Sequence, residues 1–169
     1  EAALAMTMRV AAALDCGDDA GEQAIVRLGT ALGKYWICKR AVQHSYEAME
    51  SIGAVGLIDD NVAARLYREA PVNAIWEGSG NVQCLDLLRV LQREPQVLQQ
   101  FFTELGSASG RDQRYDDYLA ALQQSFAERE TLEQRSRLIV EQMALAWQAA
   151  LLLTAGESDV AEAFVASRL

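Results

Sequence analysis

Apolar residues return every third or fourth position along nearly the whole chain, the spacing of one face of an α-helix. Leu4, Met8, Ala11/Ala12 and Leu14 mark a first helix over residues 1–14. The acidic, glycine-bearing run Cys16-Gly17-Asp18-Asp19-Ala20-Gly21 interrupts it. A long helix is predicted over residues 22–51, with Ile25, Leu28, Leu32, Tyr35/Trp36, Val42, Tyr46 and Met49 as its stripe. Gly29, Ala31, Gly33 and Ala41 on it would let another helix approach closely. Gly53-Ala54-Val55-Gly56 reads as its C-terminal cap and turn.

The second half continues in the same way. Asp59 or Asp60 is placed to cap a short helix that runs to Glu69 and is ended by Pro71. Val82, Leu85, Leu88, Val90 and Leu91 predict a helix over 81–93, and Pro95 fits the first turn of another bearing Val97, Leu98, Phe101, Phe102 and Leu105. Gly106 to Gly110 is the clearest linker. Tyr115, Tyr118/Leu119, Leu122 and Phe126 mark the next helix, and Leu132 through Leu153 a longer one. Gly156 breaks it, and Asp159 with Glu162 resembles a capping box for a last helix. No strand-like alternation of useful length occurs. The expected fold is all-α, a helical bundle of about seven or eight helices.

Composition narrows the function classes. With 51% hydrophobic residues and 2 Pro in 169 residues, the chain has material for a sizeable core. No run reaches the roughly 18 apolar residues of a membrane span. Residues 1–95 carry 9 basic and 13 acidic side chains, residues 96–169 carry 6 and 11, so neither half has the basic excess typical of phosphate-backbone binding. Cys16, Cys38 and Cys84 suit buried thiols in a reducing, cytoplasmic setting and form no metal pattern. Lys34, Lys39 and Arg40 read as a solvated face, and His44 as a hydrogen-bonded structural residue.

One segment carries candidate chemistry. Pro71 to Cys84 places a single carboxylate, Glu77, after Ile75-Trp76 and before Gly78-Ser79-Gly80, with Ser79 as the N-cap of the helix that follows. A small-residue turn ahead of a helix offers unpaired N–H groups to an anion or an electron-rich ring.

Ile75-Trp76-Glu77-Gly78-Ser79, preceded by Arg68-Glu69-Ala70, resembles the C-terminal signature of the acyl-CoA dehydrogenase family. Through Asn81, Cys84-Leu85-Asp86 and Leu88-Arg89-Val90-Leu91 the chain is similar to one branch, the AidB-type alkylation-response flavoproteins. The resemblance implies a C-terminal helical domain over residues 1–95 and an AidB-like helical extension over 96–169. It implies a fragment, without the N-terminal helical and central β-domains. It further implies that Glu77 removes the α-proton of an acyl-CoA thioester while FAD takes a β-hydride. Ile75, Trp76, Gly78, Ser79, Gly80 and Asn81 would then face the cofactor, and the base should sit in a dry pocket that raises its pKa.

Two departures stand out. Ala54 replaces a family Gly, and Glu50, where Gln is usual, would repel a cofactor pyrophosphate. The family also implies an electron-accepting flavoprotein partner and a homodimer or homotetramer, for which the small residues Gly29 to Gly33 are compatible with close packing. The AidB branch implies double-stranded DNA, with Arg89 and Arg93, and Arg111, Arg114, Arg129, Arg135 and Arg137, as candidate phosphate contacts. The competing expectation pairs each arginine with a nearby carboxylate. Standing alone, the chain is expected to have no dehydrogenase activity and little FAD affinity.

Overall fold

The computed structural model describes residues 1–156 and 159–169, and among them every regular element is helical. The α-helices are α1 (Ala2–Asp15), α2 (Ala20–Ile52), α3 (Val62–Asn73), α4 (Gly80–Arg93), α5 (Pro95–Gly106), α6 (Gln113–Ser125), α7 (Ser136–Thr154) and α8 (Asp159–Arg168). Short 3-10 turns, Ala54–Leu57 and Arg129–Thr131, sit after α2 and before α7.

The 33-residue α2 is the axis of the bundle, about 50 Å long at 1.5 Å per residue. Asp19 caps it by accepting from the Glu22 N–H, and Gly53, at φ 81°, ends it in a conformation that favours glycine. Around it pack α1, α3, α4, α5 and α7. Its stripe is buried at Ile25, Leu28, Leu32, Tyr35, Trp36 and Met49, whereas Val42 is only half-buried and Tyr46 is exposed against the ring of Tyr67 on α3.

The small-residue face of α2 is used within the chain. A Cβ at Gly29 would lie 2.7 Å from Trp147 Cη2 and 2.9 Å from Val10 Cγ2, so α7 and α1 occupy the space this glycine leaves. Trp147 also meets Phe101 of α5 edge-on at 5.9 Å. One continuous cluster of buried side chains runs from Met6 through Leu87, Phe101, Tyr115 and Trp147 to Val165, joining residues on both sides of position 95.

Several local expectations are corrected. Asn61, not Asp59 or Asp60, caps α3 through the Ala63 N–H, and the helix continues through Pro71 to Asn73. Proline so near the end of a helix costs one backbone bond. The last turn is held instead by Ala74 N–H on the Pro71 carbonyl and by the Lys34 ammonium on the Asn73 carbonyl, a cation at the negative helix end. α7 starts at Ser136 rather than Leu132. Asp159 opens α8 as a helical residue, and Glu162 pairs with Arg114 at 2.7 Å. Of the three free cysteines only Cys84 is buried, Cys38 is half-buried and Cys16 is exposed.

Candidate functional site

The turn between α3 and α4 carries the candidate chemistry. Its first residues are bound to α3, with Ile75 N–H and Trp76 N–H both donating to the Val72 carbonyl. The next backbone–backbone bond is Gln83 N–H to the Ser79 carbonyl, so the peptide groups of Glu77 and Gly78 lie outside any backbone ladder. Glu77 takes φ 56°, and no other non-glycine among the described residues has a positive φ. Such a conformation costs on the order of 1 kcal/mol or more for a residue with a side chain and needs support from its surroundings.

Two side chains supply that support. Lys34 of α2 donates from Nζ to the Asn73 carbonyl at 2.7 Å and to the Gly78 carbonyl at 3.3 Å. Gln83 of α4 donates from Nε2 to the Glu77 carbonyl at 2.7 Å. Gly78, at φ 107°, makes room for this: a Cβ there would lie 2.5 Å from Gln83 Nε2. Lys34 is therefore no solvated lysine.

Beyond the turn, Ser79 occupies the N-cap of α4 in extended conformation, but its hydroxyl makes no capping bond. Among the described residues the N–H groups of Gly80, Asn81 and Val82 have no protein partner, which leaves the positive end of α4 open. Tyr35 and Arg137 flank Gly80, whose Cβ would sit 3.3 Å from Tyr35 Cε2 and 3.4 Å from Arg137 Nη2. Tyr35 and Gly80, with Lys34, Lys39, Ala74, Gly78 and Gln83, border a narrow crevice beside the turn. Beneath it the thiol of Cys84 is pushed up to about 11 by burial, with Arg137 and a hydrogen bond from Tyr35 pulling the other way.

The structure brings Ile75, Trp76, Glu77, Gly78, Ser79, Gly80 and Asn81 together on one turn and helix start. It does not bury them: Ile75 and Trp76 are 67% and 57% exposed, and Glu77, Ser79 and Asn81 are exposed as well. The dry pocket expected around Glu77 is thus not made by this chain. Val72 and Val82 extend the same uncovered apolar surface. Glu50 lies exposed near the end of α2, apart from the crevice.

Other expectations divide. His44 is exposed on a groove between α2, α7 and α8, and no hydrogen bond ties it down among the described residues. Arg40 is drawn off the solvated face to lie over the Trp36 ring, and its Nη2 is 3.4 Å from Glu141 Oε1. Of the candidate DNA contacts, Arg114 is engaged by Asp112 and Glu162, Arg135 by Glu128 and the Ser125 carbonyl, and Arg111 by the Leu153 carbonyl. Arg89 and Arg93, one turn apart on α4 and exposed, form no ion pair among the described residues. No group of three or more His, Cys, Asp or Glu side chains among them is placed to hold a metal ion. No described helix is long and apolar enough to cross a membrane.

Comparison with known proteins bears on the family and the fold. Residues 1–92 match the family described as acyl-CoA dehydrogenase, C-terminal domain. The chain is 38% identical to AidB of Escherichia coli (strain K12) over 164 residues, 97% of this chain and 30% of that protein. It is 32% identical to acyl-CoA dehydrogenase family member 11 of Caenorhabditis elegans over 71% of this chain and 19% of the relative. Among solved structures, Bd2924 in its apo form superposes with TM-score 0.74 at 28% identity, covering 88% of this chain and 30% of that one. Caenorhabditis elegans ACDH-11, solved in complex with C11-CoA, shares the fold with TM-score 0.81 at 24% identity, over 97% of this chain and 32% of its own.

Fold and matches define the class of module: an all-helical domain that spans about a third or less of the relatives it resembles. The chain belongs to the acyl-CoA dehydrogenase family.

Proposed function

We propose that this chain forms the C-terminal part of an FAD-dependent acyl-CoA dehydrogenase, with Glu77 as the base that removes the α-proton of the acyl thioester. The observation that carries the reading is the presentation of Glu77: a lone carboxylate held at φ 56° on a clamped turn, flanked by exposed Ile75 and Trp76 and followed by an open helix N-terminus. An uncovered apolar rim around an acid is what a second domain would cover, and covering it would supply the dry setting an efficient base needs.

The residues present suit a flavin. The unpaired N–H groups of Gly80 and Asn81 suit an acceptor-rich ring or chain. Trp76 offers a flat apolar wall, while Ser79 and the Asn81 amide add polar contacts. Bound FAD would accept the β-hydride, and an electron-accepting flavoprotein would then reoxidise it. The α-proton passes to a Glu77 carboxylate oxygen as the Cα–Cβ double bond forms. Taken alone, the chain leaves Glu77 in water and is proposed to be inactive.

The deciding experiment is Glu77→Gln in the whole, flavin-loaded protein, assayed with acyl-CoA substrates and a dye acceptor. The expected loss in kcat is about 10²- to 10⁴-fold with FAD retained. Turnover at the wild-type rate would remove Glu77 as the base.

A further inference from the structure

We infer that Lys34 and Gln83 are positioning residues for Glu77, forming a two-point clamp that sets where its carboxylate projects. The inference rests on the proposed role of Glu77 and deepens it.

Three facts converge on the clamp. Between Trp76 N–H and Gln83 N–H no backbone–backbone bond reaches the turn, so its path depends on side chains. The carbonyls of Asn73, Glu77 and Gly78 each accept from one: Lys34 on the outer two, Gln83 on the middle one. Both donors come from rigid helices on either side of the turn, Lys34 from the middle of α2 and Gln83 from the first turn of α4. Their grip therefore transmits the α2–α4 packing to the peptide that bears the acid. Gly78 belongs to the same device, because any Cβ there would push Gln83 Nε2 off the Glu77 carbonyl.

The clamp acts by geometry. Lys34 spends its ammonium on main-chain carbonyls, and no ion pair joins it to Glu77 among the described residues. The glutamate carboxylate stays free for chemistry while its backbone is fixed. Loss of either donor leaves the acid in place but lets the φ 56° conformer relax toward commoner ones. For a base that must meet a C–H bond within a few tenths of an ångström, that is a loss of rate more than of binding.

The test uses the whole flavin-loaded protein with Lys34→Met, Lys34→Arg, Gln83→Leu and, as a charge control, Arg65→Met, which removes an exposed cation of α3 outside the crevice. Lys34→Met and Gln83→Leu are expected to lower kcat by about 10- to 100-fold while KM stays within about twofold. Lys34→Arg, which keeps donors for both carbonyls, should recover most of the rate, and Arg65→Met should behave as wild type. Backbone nitrogen-15 relaxation supplies a readout independent of turnover: the order parameters of residues 77–79 should fall in Lys34→Met, with those of α2 and α4 unchanged. Wild-type kcat in Lys34→Met, or unaltered order parameters in the turn, would overturn the clamp. If Glu77→Gln proves fully active, the base assignment falls and the clamp is decided by relaxation alone. Loss of order in α2 together with the turn would overturn it as well, by showing a general structural role.

Discussion

Glu104 of α5 accepts the indole N–H of Trp147 on α7 at 2.7 Å, with the same oxygen that takes the Arg9 Nε–H at 3.0 Å. Arg9 in turn grips Glu22 at 2.6 Å and the second oxygen of Glu104 at 2.7 Å. Four helices, α1, α2, α5 and α7, meet in this network. Burial works against the charge on Arg9, and its bonds to Glu22 and Glu104 outweigh that and raise its pKa.

Removing Glu104 leaves the Trp147 N–H without its acceptor and Arg9 with one carboxylate. Glu104→Ala is expected to lose about 2–4 kcal/mol of stability, and Glu104→Gln less, since an amide oxygen can still accept from the indole. Urea denaturation of the chain checks both. Equal stability of Glu104→Ala and wild type would mean the network is idle.

Gly29 tests the contact between α2 and α7. Alanine favours helix by about 1 kcal/mol, but here its Cβ would meet Trp147 Cη2 at 2.7 Å. Trp147 is fully buried and has no room to retreat. Overpacking of about 1–3 kcal/mol should outweigh that gain, so Gly29→Ala should be destabilised by up to about 2 kcal/mol. A denaturation midpoint at or above wild type would contradict the close approach.

Asp112 sets an acid-range dependence. It caps α6 through the Arg114 N–H and pairs with the Arg114 guanidinium, and those bonds, that to the guanidinium foremost, lower its carboxyl to about 2. The folded chain then holds this proton less tightly than the unfolded chain, whose pKa is about 3.9. The stabilisation is complete above about pH 4 and fades as pH falls toward about 2. Asp112→Asn should flatten that part of the stability–pH curve, and thermal melts between those limits would reveal it. Parallel curves would refute it.

The cysteines should separate by reactivity. Cys84 is fully buried with its thiol pushed up to about 11, whereas Cys16 lies exposed after α1. At pH 8 a chromogenic disulfide should label Cys16 quickly, Cys38 more slowly, and Cys84 only when the chain is unfolded. Rapid labelling of all three in the native chain would show that the α2–α4 packing opens readily.

The buried face of α2 was legible because burial of one face imposes a helical period on the residues themselves, whereas on α1 the expected Leu4, Met8 and Leu14 are exposed and Met6 and Ala13 are buried instead. Ile25, Leu28, Leu32 and Trp36 are buried as that period requires. Pro95 sits at the start of its helix and Gly53 at the end of another for backbone reasons that residue type alone expresses. Local rules failed where a distant group intervened. Pro71 did not end α3, whose last carbonyl is taken by Lys34 from 39 residues away.

The same division runs through the candidate site. The sequence by itself determined the acid, the glycines around it and the helix that follows, since residue type and order are what the family pattern encodes. Only the tertiary structure decided that Lys34 and Gln83 hold the turn, that Gly29 seats Trp147, and that Glu77 stands uncovered. Hydrogen-bond reach and side-chain burial depend on which helices pack together, and a lysine on a stripe of charges looks alike whether it faces water or a carbonyl.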